Sequence, residues 1–464
     1  MKKGTEVELR IEALAAEGKA LAKVDGKVIF VPFAMPGDRV KARILRSKKQ
    51  FAEAQLLEII EPSADRIEPK CRHFGHCGGC KWQHVPYTIQ LEAKQAHVQD
   101  QLERIGGLHL PEPLPVCGAP SQWFYRNKLD FSFSQFRWLT SEEIASGQEF
   151  ETRNACGFHV PGRFDKVLEL EECFLMDPKA DVYRNGIASL ARAKGLDFYH
   201  PYQHTGLMRN LVLRNNRSGD WMVWVVFSDQ DHASSLDLMA EINQTFPEIH
   251  SLLYSFNPKK NDALHDLEVK TFAGVSFLTE TLGETRFKIA PQSFFQTNPE
   301  QTLVLYNRVK ELADLKGNEI VYDLYCGTGT IGCFVADQAK FVLGLEYVPE
   351  AVDNAFENAS LNGFANMHFL ARDLTDMLTN DLSDTYGKPD VVITDPPRSG
   401  MHPAVIVQLL KLAPKRIVYV SCNPATQARD LALLAEKYRV SAWQTVDLFP
   451  HTHHVENIAV LEWM

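Results

Sequence analysis

The sequence predicts an α/β protein in three parts: a small N-terminal β-barrel, a central mixed α+β region and a C-terminal Rossmann-like parallel sheet. Short alternating strands with tight turns fill the first sixty residues, and strands and helices mix from about residue 122 to 272. From Lys316 onward, near-continuous apolar strands alternate with helices, which is typical of a parallel sheet covered on both faces. We therefore predict domains at 1–61, 62–285 and 286–464.

The composition is that of an ordinary soluble globular protein, with 45% hydrophobic and 23% charged residues among 464. The charged N-terminus predicts no signal peptide, and the absence of a long apolar run predicts no membrane partner. Nine cysteines are too few for a disulfide scaffold, and their clustering favours metal binding or catalysis in a reducing cytoplasm. The net charge of −10 argues against generic nucleic-acid binding but allows a local basic surface.

The N-terminal strands predict a barrel of the oligonucleotide-binding type. The stretch EVELRIEAL alternates, and Asp25-Gly26 predicts a hairpin turn. Residues 1–60 carry twelve Lys and Arg against eight Asp and Glu, a local charge of +4. Phe30, Phe33 and Phe51 can stack bases beside these cations, although core packing explains the same residues.

The C-terminal region reads as strands and helices in alternation. Ligands of such sheets bind at the carboxyl ends of the strands, where a glycine loop, Asp395 and Cys422 all fall. The predicted strands are NEIVYDLYC, KFVLGLEYV, PDVVITDPP and KRIVYVSC, and the predicted helices follow in GTGTIGCFVADQ, PEAVDNAFENASLNG, HPAVIVQLLKLAP and PATQARDLALLAEK.

The glycine loop GTGTIG begins at Gly327 and matches a dinucleotide-binding pattern. Its glycines let the backbone approach a ligand, and Glu346 at the next strand end can accept hydrogen bonds from ribose hydroxyls. The loop fits a nicotinamide dinucleotide or S-adenosylmethionine. The stretch TDPPRSG, with an acid and two prolines at a strand end, forms a lip that dehydrogenases do not need, and it favours a methyltransferase.

Cys422, in VYVSCNPAT, predicts a nucleophile. Carbon 5 of uracil is a poor nucleophile until a thiolate adds to carbon 6, and a base must later remove the carbon-5 proton. We expect the thiol to be exposed at a strand end and partly ionised by a helix N-terminus. Glu456, just before the final strand, is the predicted base, although a surface carboxylate explains it equally. His451, His453 and His454 are interpreted as polar loop residues.

The motifs SCNPATQARD, DPPRSG, DLYCGTGTIG and HVEN together resemble the RNA 5-methyluridine methyltransferase family, most like the bacterial 23S ribosomal RNA (uracil-5-)-methyltransferases. The resemblance implies a class I methyltransferase sheet and makes the N-terminal barrel a TRAM domain that binds RNA. It implies Cys422 as nucleophile and Glu456 as base. The S-adenosylmethionine contacts that it implies are Gln296, Tyr325, Gly327, Thr330, Glu346, Asp373 and Asp395.

Cys71, Cys77 and Cys80 lie within ten residues, a spacing that suits zinc, an iron–sulfur cluster or buried free thiols. The resemblance implies a 4Fe-4S cluster with Cys173 as fourth ligand, in preference to Cys117 or Cys156. We expect this cluster to serve folding or RNA positioning rather than redox catalysis. The resemblance also makes FYRNKLDFSF, from Phe124 to Phe133, an RNA-facing strand.

The sequence thus predicts a cytoplasmic, monomeric enzyme that methylates carbon 5 of a uridine, with ribosomal RNA as the expected partner. Three alternatives stay open: a transfer RNA uridine methyltransferase, an iron–sulfur RNA-binding assembly factor, and a nicotinamide-dependent oxidoreductase. The sequence does not identify the modified uridine.

Overall fold

A computed structural model describes residues 1–147, 149–150, 153–229, 231–377 and 380–464. Within these ranges, no helix is long and apolar enough to cross a membrane. The α-helices are α1 (Tyr87–Arg104), α2 (Ser141–Ser146), α3 (Lys179–Ala193), α4 (His232–Thr245), α5 (Pro299–Ala313), α6 (Thr330–Val335), α7 (Pro349–Leu361), α8 (Leu374–Met377), α9 (Asn380–Tyr386), α10 (Pro403–Leu412) and α11 (Pro424–Leu434).

The N-terminal strands form one curled sheet in the order β1-β5-β6-β4-β3-β2. The hairpin predicted at Asp25-Gly26 joins β3 to β4. The sheet is packed inside by small aliphatic residues, and the three phenylalanines lie outside that core. Phe33 packs edge-to-face on Phe74 of the next domain, with 5.5 Å between ring centroids. The strands are β1 (Glu6–Arg10), β2 (Ala13–Leu14), β3 (Lys19–Val24), β4 (Lys27–Pro32), β5 (Arg39–Ser47) and β6 (Phe51–Glu61).

The central sheet runs in the order β14-β13-β12-β11-β7-β9-β10-β8 through the described residues. Its middle strand β12 is buried at every position, as its unbroken apolar sequence predicts. The predicted strand at Phe124 begins only at Lys128, because Phe124 takes a positive φ of 56° that ends any extended run. The strands are β7 (Lys128–Ser134), β8 (Arg137–Trp138), β9 (Ala155–His159), β10 (Val167–Glu169), β11 (Met208–Asn215), β12 (Trp221–Phe227), β13 (Ser251–Phe256) and β14 (Lys270–Gly274).

The C-terminal sheet has the order β19-β18-β17-β20-β21-β23-β22 in the described part of the chain, and a hairpin, β15 and β16, precedes it. The first five strands are parallel, but β23 inserts antiparallel between β21 and β22. The five parallel strands confirm the predicted Rossmann-like sheet, and the antiparallel β23 and β22 extend it at one end. The strands are β15 (Leu278–Leu282), β16 (Thr285–Ile289), β17 (Ile320–Leu324), β18 (Phe341–Glu346), β19 (Met367–Ala371), β20 (Val391–Thr394), β21 (Arg416–Ser421), β22 (Tyr438–Val446) and β23 (Glu456–Trp463).

The segment from α1 to Cys117 packs on the C-terminal sheet although it precedes the central sheet in sequence. Val98 and Leu102 of α1 belong to the apolar core on one face of that sheet. The Cys117 backbone pairs with β22, and the indole of Trp443 donates to the Pro111 carbonyl at 2.9 Å. The sheet is thus completed by chain from more than 300 residues earlier.

Candidate active site

The candidate site lies at the carboxyl edge of the C-terminal sheet. Leu324, at the end of β17, pairs with Leu345 of β18 and Thr394 of β20, so these strands end at the same level. The next residues along the chain are Tyr325, Glu346 and Asp395. Parallel topology therefore brings together the residues that the sequence predicts to contact a cofactor.

The glycine loop between β17 and α6 is open toward this edge. Tyr325, Gly327 and Gly329 all take positive φ, at 60°, 54° and 75°, which folds the chain tightly back from the strand. A Cβ placed on Gly327 meets no atom within 4 Å, whereas one on Gly329 lies 3.0 Å from the Phe369 ring. Gly329 is therefore required by packing, and Gly327 borders open space that a ligand can enter.

The Glu346 carboxylate is held in place by backbone amides. Oε2 accepts from the Gly327 N–H at 3.1 Å, and Oε1 accepts from Tyr347 and Val348 at 2.8 and 3.0 Å. The carboxylate is partly exposed, so its remaining lone pairs are open to donors from solvent or a ligand. An acid fixed beside an open glycine loop fits the ribose of an adenosyl cofactor.

A buried acid behind the loop was not among the predicted site residues. Asp323 accepts from the Gly332 N–H at 2.9 Å and is 1% exposed. Burial raises the pKa of Asp323 to about 8, so the carboxyl binds a proton more readily than an ordinary aspartate. Thr330, at the start of α6, shares a 3.0 Å hydrogen bond with the Tyr306 hydroxyl. These contacts fix the turn behind the open edge.

The remaining predicted cofactor residues lie on loops around the same edge. Gln296 is 8% exposed, and its carbonyl accepts from the Asn127 amide at 3.3 Å. Asp373 follows β19 and is exposed, and it accepts from the backbone and hydroxyl of Thr375, both at 2.8 Å. Burial raises the pKa of the Tyr325 phenol to about 12, so the phenol stays protonated at neutral pH.

The proline loop after β20 is tied to the start of α11. Asn423 caps α11 by accepting from the Ala425 N–H at 3.2 Å, and its amide donates to the Arg398 carbonyl at 2.9 Å. On the other side, the Met401 N–H donates to the buried carboxylate of Asp430 at 2.7 Å. The lip that carries Asp395 is therefore held rigidly beside Cys422.

Cys422 and Glu456 occupy facing positions at the ends of neighbouring strands. Ser421 of β21 pairs with Asn457 of β23 in an antiparallel ladder, so one further step of the register sets Cys422 opposite Glu456. Glu456 is 3% exposed and lies on an inner strand. The alternative interpretation of Glu456 as a surface carboxylate is therefore wrong. Because β23 is antiparallel, its first residue falls at the edge where the parallel strands end.

The expectation of a partly ionised thiol was wrong. Burial raises the pKa of the Cys422 thiol to about 12, and the carboxyls of Glu456 and Asp395 raise it further while Arg398 opposes them. Cys422 is half-buried, and the Asn423 side chain accepts from the Ala425 N–H at the N-terminus of α11. The thiol is therefore protonated in this state of the protein.

The two acids beside the thiol also bind protons more readily than usual. Burial raises the pKa of Asp395 to about 7. Burial, followed by the nearby Asp395 carboxyl, raises the pKa of Glu456 well above its ordinary value. Two neighbouring acids with such a shift share protons, which suits a site where protons are taken up and released.

The loop from β22 to Glu456 is anchored to α1 by a buried ion pair. The Lys94 ammonium contacts the Asp447 carboxylate at 2.6 Å, and both side chains are fully buried. The Tyr87 hydroxyl donates to the same carboxylate at 2.9 Å. Further along, His451 stacks on Trp123 at 3.9 Å between centroids, and burial lowers its pKa to about 4. Sequence reasoning missed this anchor because its partners are 353 residues apart.

Four cysteines line one cavity, here called the cysteine cavity, in the central domain: Cys71, Cys77, Cys80 and Cys173. Cys156 is buried in the central core, and Cys117 lies beside β22, so neither lines it. In the described part of the chain, no three histidine, cysteine or acidic side chains are grouped to hold a single metal ion. A 4Fe-4S cluster differs, because each thiolate binds a different iron.

The donor chemistry of this cavity fits a thiolate-bound cluster. Burial raises the pKa of Cys77 to about 11 and that of Cys80 and Cys173 to about 12, so these thiols must release their protons when they bind iron. Each of the four sulfurs also accepts a hydrogen bond: from backbone amides at Cys71, Cys77 and Cys173, and from the Gln83 side chain at Cys80. Such bonds stabilise sulfur ligands. The cavity volume is about 20 Å³.

Comparison with known proteins places this geometry in a family. Residues 275–463 match the family described as tRNA (uracil-5-)-methyltransferase, and residues 1–57 match the TRAM domain. A relative from Bacteroides thetaiotaomicron, named an uncharacterized RNA methyltransferase, is 50% identical over 97% of this chain and all of its own length. A relative of the same name from Chlorobaculum tepidum is 41% identical over 99% of this chain and 97% of its own.

A solved structure shares the whole architecture. The tRNA (uracil-54, C5)-methyltransferase of Pyrococcus abyssi, solved with S-adenosyl-L-homocysteine, is 28% identical and has a TM-score of 0.76. The match covers 98% of this chain and 100% of that one. With the strand-end acids, the glycine loop and the full-length relatives, these comparisons show that the chain belongs to the S-adenosylmethionine-dependent RNA (uracil-5-)-methyltransferases with an N-terminal TRAM domain.

Proposed function

We propose that the protein methylates carbon 5 of a uridine in 23S ribosomal RNA, with Cys422 as the nucleophile and Glu456 as the base. The observation that carries this proposal is the strand register that sets Cys422 opposite a buried Glu456. A thiol alone can only add to a ring. A thiol that faces a carboxylate can add to the ring and later be released from it. The carboxylate removes the proton from carbon 5, and the loss of that proton breaks the carbon–sulfur bond.

The roles of the two residues follow from bond balance. The half-buried Cys422 thiol gives its proton to solvent, its sulfur then bonds to carbon 6 of an extruded uracil, and the electron pair of the 5,6 double bond makes carbon 5 nucleophilic. After carbon 5 carries its methyl group, Glu456 removes the remaining carbon-5 proton. The electrons of that C–H bond restore the double bond, and the carbon–sulfur bond breaks.

S-adenosylmethionine supplies the electrophilic methyl group when bound. Glu346 would hold its ribose, and Gly327 would let the backbone approach it. Gln296, Tyr325, Thr330, Asp373 and Asp395 would border it on the surrounding loops. The open space at Gly327 and the fixed Glu346 carboxylate support this assignment.

A second candidate substrate is transfer RNA, because the Pyrococcus abyssi enzyme, which matches nearly the whole chain, acts on uridine 54 of tRNA. The two are separated by mapping 5-methyluridine in 23S ribosomal RNA and in tRNA from cells with and without the gene. We expect one site or more in 23S RNA to lose its methyl group while tRNA is unchanged. Loss confined to tRNA favours the second candidate, and no loss in either RNA overturns the proposal.

We also propose a 4Fe-4S cluster in the cysteine cavity, bound by Cys71, Cys77, Cys80 and Cys173, with a structural role. The Cys173→Ser variant, reconstituted anaerobically, is expected to lose the visible absorbance of the cluster and to hold fewer than about four irons per chain. The control is Cys156→Ala, which removes the rival thiol from the core and is expected to keep full iron content. Full iron in Cys173→Ser together with loss in Cys156→Ala would contradict the ligand set.

A further inference from the structure

A second cavity lies between the central sheet and the loop that carries Gln296. We call it the Arg214 cavity. Its volume is about 440 Å³. It is formed on one side by β7 and β11 and on the other by residues 292–297. Since this loop runs directly into Gln296, the cavity adjoins the candidate site without containing Cys422 or Glu456.

The side chains that line this cavity are strongly basic. Arg126, Lys128 and Arg214 all border it, and Asp130 is the acid that lines it beside them. Lys128 and Arg214 are direct partners in the β7–β11 ladder, so their charges are held on neighbouring strands. Asp130 pairs with Lys128 at 3.2 Å. Three positive charges against one negative charge leave a local excess of two.

Arg214 is buried without enough acceptors. It is 2% exposed, and its Nη2 donates to the Ser293 carbonyl at 3.2 Å. Its Nη1 and Nε have no acceptor among the described residues. Burial lowers the pKa of Arg214 to about 10. A buried guanidinium with free donors is costly, and an anion that accepts from those donors would offset the cost.

Arg209, on the same strand, shows what a purely structural arginine looks like here. It is also 2% exposed, but its Nη1 donates to the Asn257 carbonyl at 2.9 Å and its Nη2 to the Asn261 carbonyl at 2.8 Å. Both terminal nitrogens of Arg209 are therefore satisfied from within the chain. The Nε of both arginines lacks an acceptor within the described part of the chain, so the two differ at one nitrogen, the Nη1 of Arg214, and this difference indicates that Nη1 is kept for a ligand.

We propose that the Arg214 cavity binds a backbone phosphate of the substrate RNA, with Arg214 as its buried donor and Lys128 as a second cation. This inference rests on the proposed function, because it takes the substrate to be RNA. A phosphodiester spreads one negative charge over two oxygens, so one oxygen can accept from the free Nη1 of Arg214 while Lys128 contacts the other. A phosphate fixed here would position the nucleotide chain beside the pocket into which a uridine is turned.

The test measures the salt dependence of binding to a 23S ribosomal RNA transcript. Arg214→Gln is expected to weaken affinity about tenfold at 0.1 M salt, because one charged hydrogen-bond partner is lost. The logarithm of the RNA association constant decreases linearly with the logarithm of salt concentration. The magnitude of this slope should be smaller by about 0.7 to 0.9 in the variant, which is the contribution of one phosphate contact. Arg214→Lys, which keeps the charge, should retain the slope.

The matched control is Arg439→Gln. Arg439 is the second residue of β22 in the C-terminal sheet and pairs with Glu462 at 3.1 Å, so RNA affinity and the salt slope should stay at wild-type values. If Arg214→Gln instead weakens S-adenosylmethionine binding with an unchanged RNA slope, the cavity receives the cofactor carboxylate, and the proposal is overturned. An unchanged slope and unchanged cofactor affinity overturn it as well.

A second variant keeps the test decisive if Arg214→Gln does not fold. Lys128→Gln alters a partly exposed side chain of the same cavity, and the proposal requires it to lower the slope by a similar amount. The proposed function can fail separately. If the wild-type protein transfers no methyl to uridine but both variants lower the slope, the phosphate site stands without the methylation assignment.

Discussion

Cys422→Ala is expected to abolish uridine methylation, with kcat/KM falling by about 10⁴-fold or more, as when a covalent nucleophile is removed. Without a sulfur on carbon 6, carbon 5 of uracil is too weak a nucleophile to accept a methyl group. The measurement is transfer of labelled methyl from S-adenosylmethionine to a 23S RNA transcript. Affinity for S-adenosylmethionine should be unchanged, because the side chain is not among the groups proposed to hold it.

Cys117→Ala is the matched control for this experiment. Cys117 is also a half-buried free cysteine, and its backbone pairs with Val446 at the end of β22, but its thiol has no role in the proposed mechanism. Its variant should methylate at the wild-type rate. Wild-type methylation by Cys422→Ala would end the covalent mechanism, and a common loss in both variants would indicate a general effect on folding.

Glu456→Gln is expected to trap a covalent protein–RNA adduct. Glutamine has the shape of glutamate but cannot take the carbon-5 proton, so the carbon–sulfur bond cannot break once the methyl group is in place. The adduct should appear as a shifted band that survives denaturation and depends on S-adenosylmethionine.

Two controls define the trapped species. Glu462→Gln alters the opposite end of β23, where the carboxylate pairs with Arg416 and Arg439, and it should give no adduct. The double variant Cys422→Ala with Glu456→Gln should lose the band, because no sulfur is left to form the bond. A band that persists in the double variant would show attachment at another residue and would contradict both assignments.

The parallel part of the C-terminal sheet was predictable from sequence because it needs only local signals. Strands β17, β18, β20 and β21 are near-continuous apolar runs followed by glycine or proline. Strand β19, MHFLA, is short and carries a histidine, and β22, YRVSAWQTV, mixes polar and apolar residues. Their assignment depends on pairing with distant strands, as does the antiparallel insertion of β23, so no local pattern indicates them.

In the candidate site, too, some features could be predicted from local sequence and others depend on contacts between distant residues. The shared position of Glu346 and Asp395 at one sheet edge was predictable, because parallel strands end together and strand-end acids become neighbours. The protonated thiol of Cys422 was not, because its raised pKa comes from burial and from two carboxyls that only the fold brings near. The free donors of Arg214 were equally invisible, since a missing acceptor is a property of the packed molecule.

The packing of α1 and the strand-like segment up to Cys117 against the C-terminal sheet has a consequence for modularity. The family match at residues 275–463 does not coincide with a unit that can stand alone. Cutting there would strip Val98 and Leu102 from an apolar face and leave Asp447 as an uncompensated charge in the interior. The methyltransferase region therefore cannot be separated from the segment between α1 and Cys117. A truncated or domain-exchanged protein must include that segment to keep the C-terminal sheet folded.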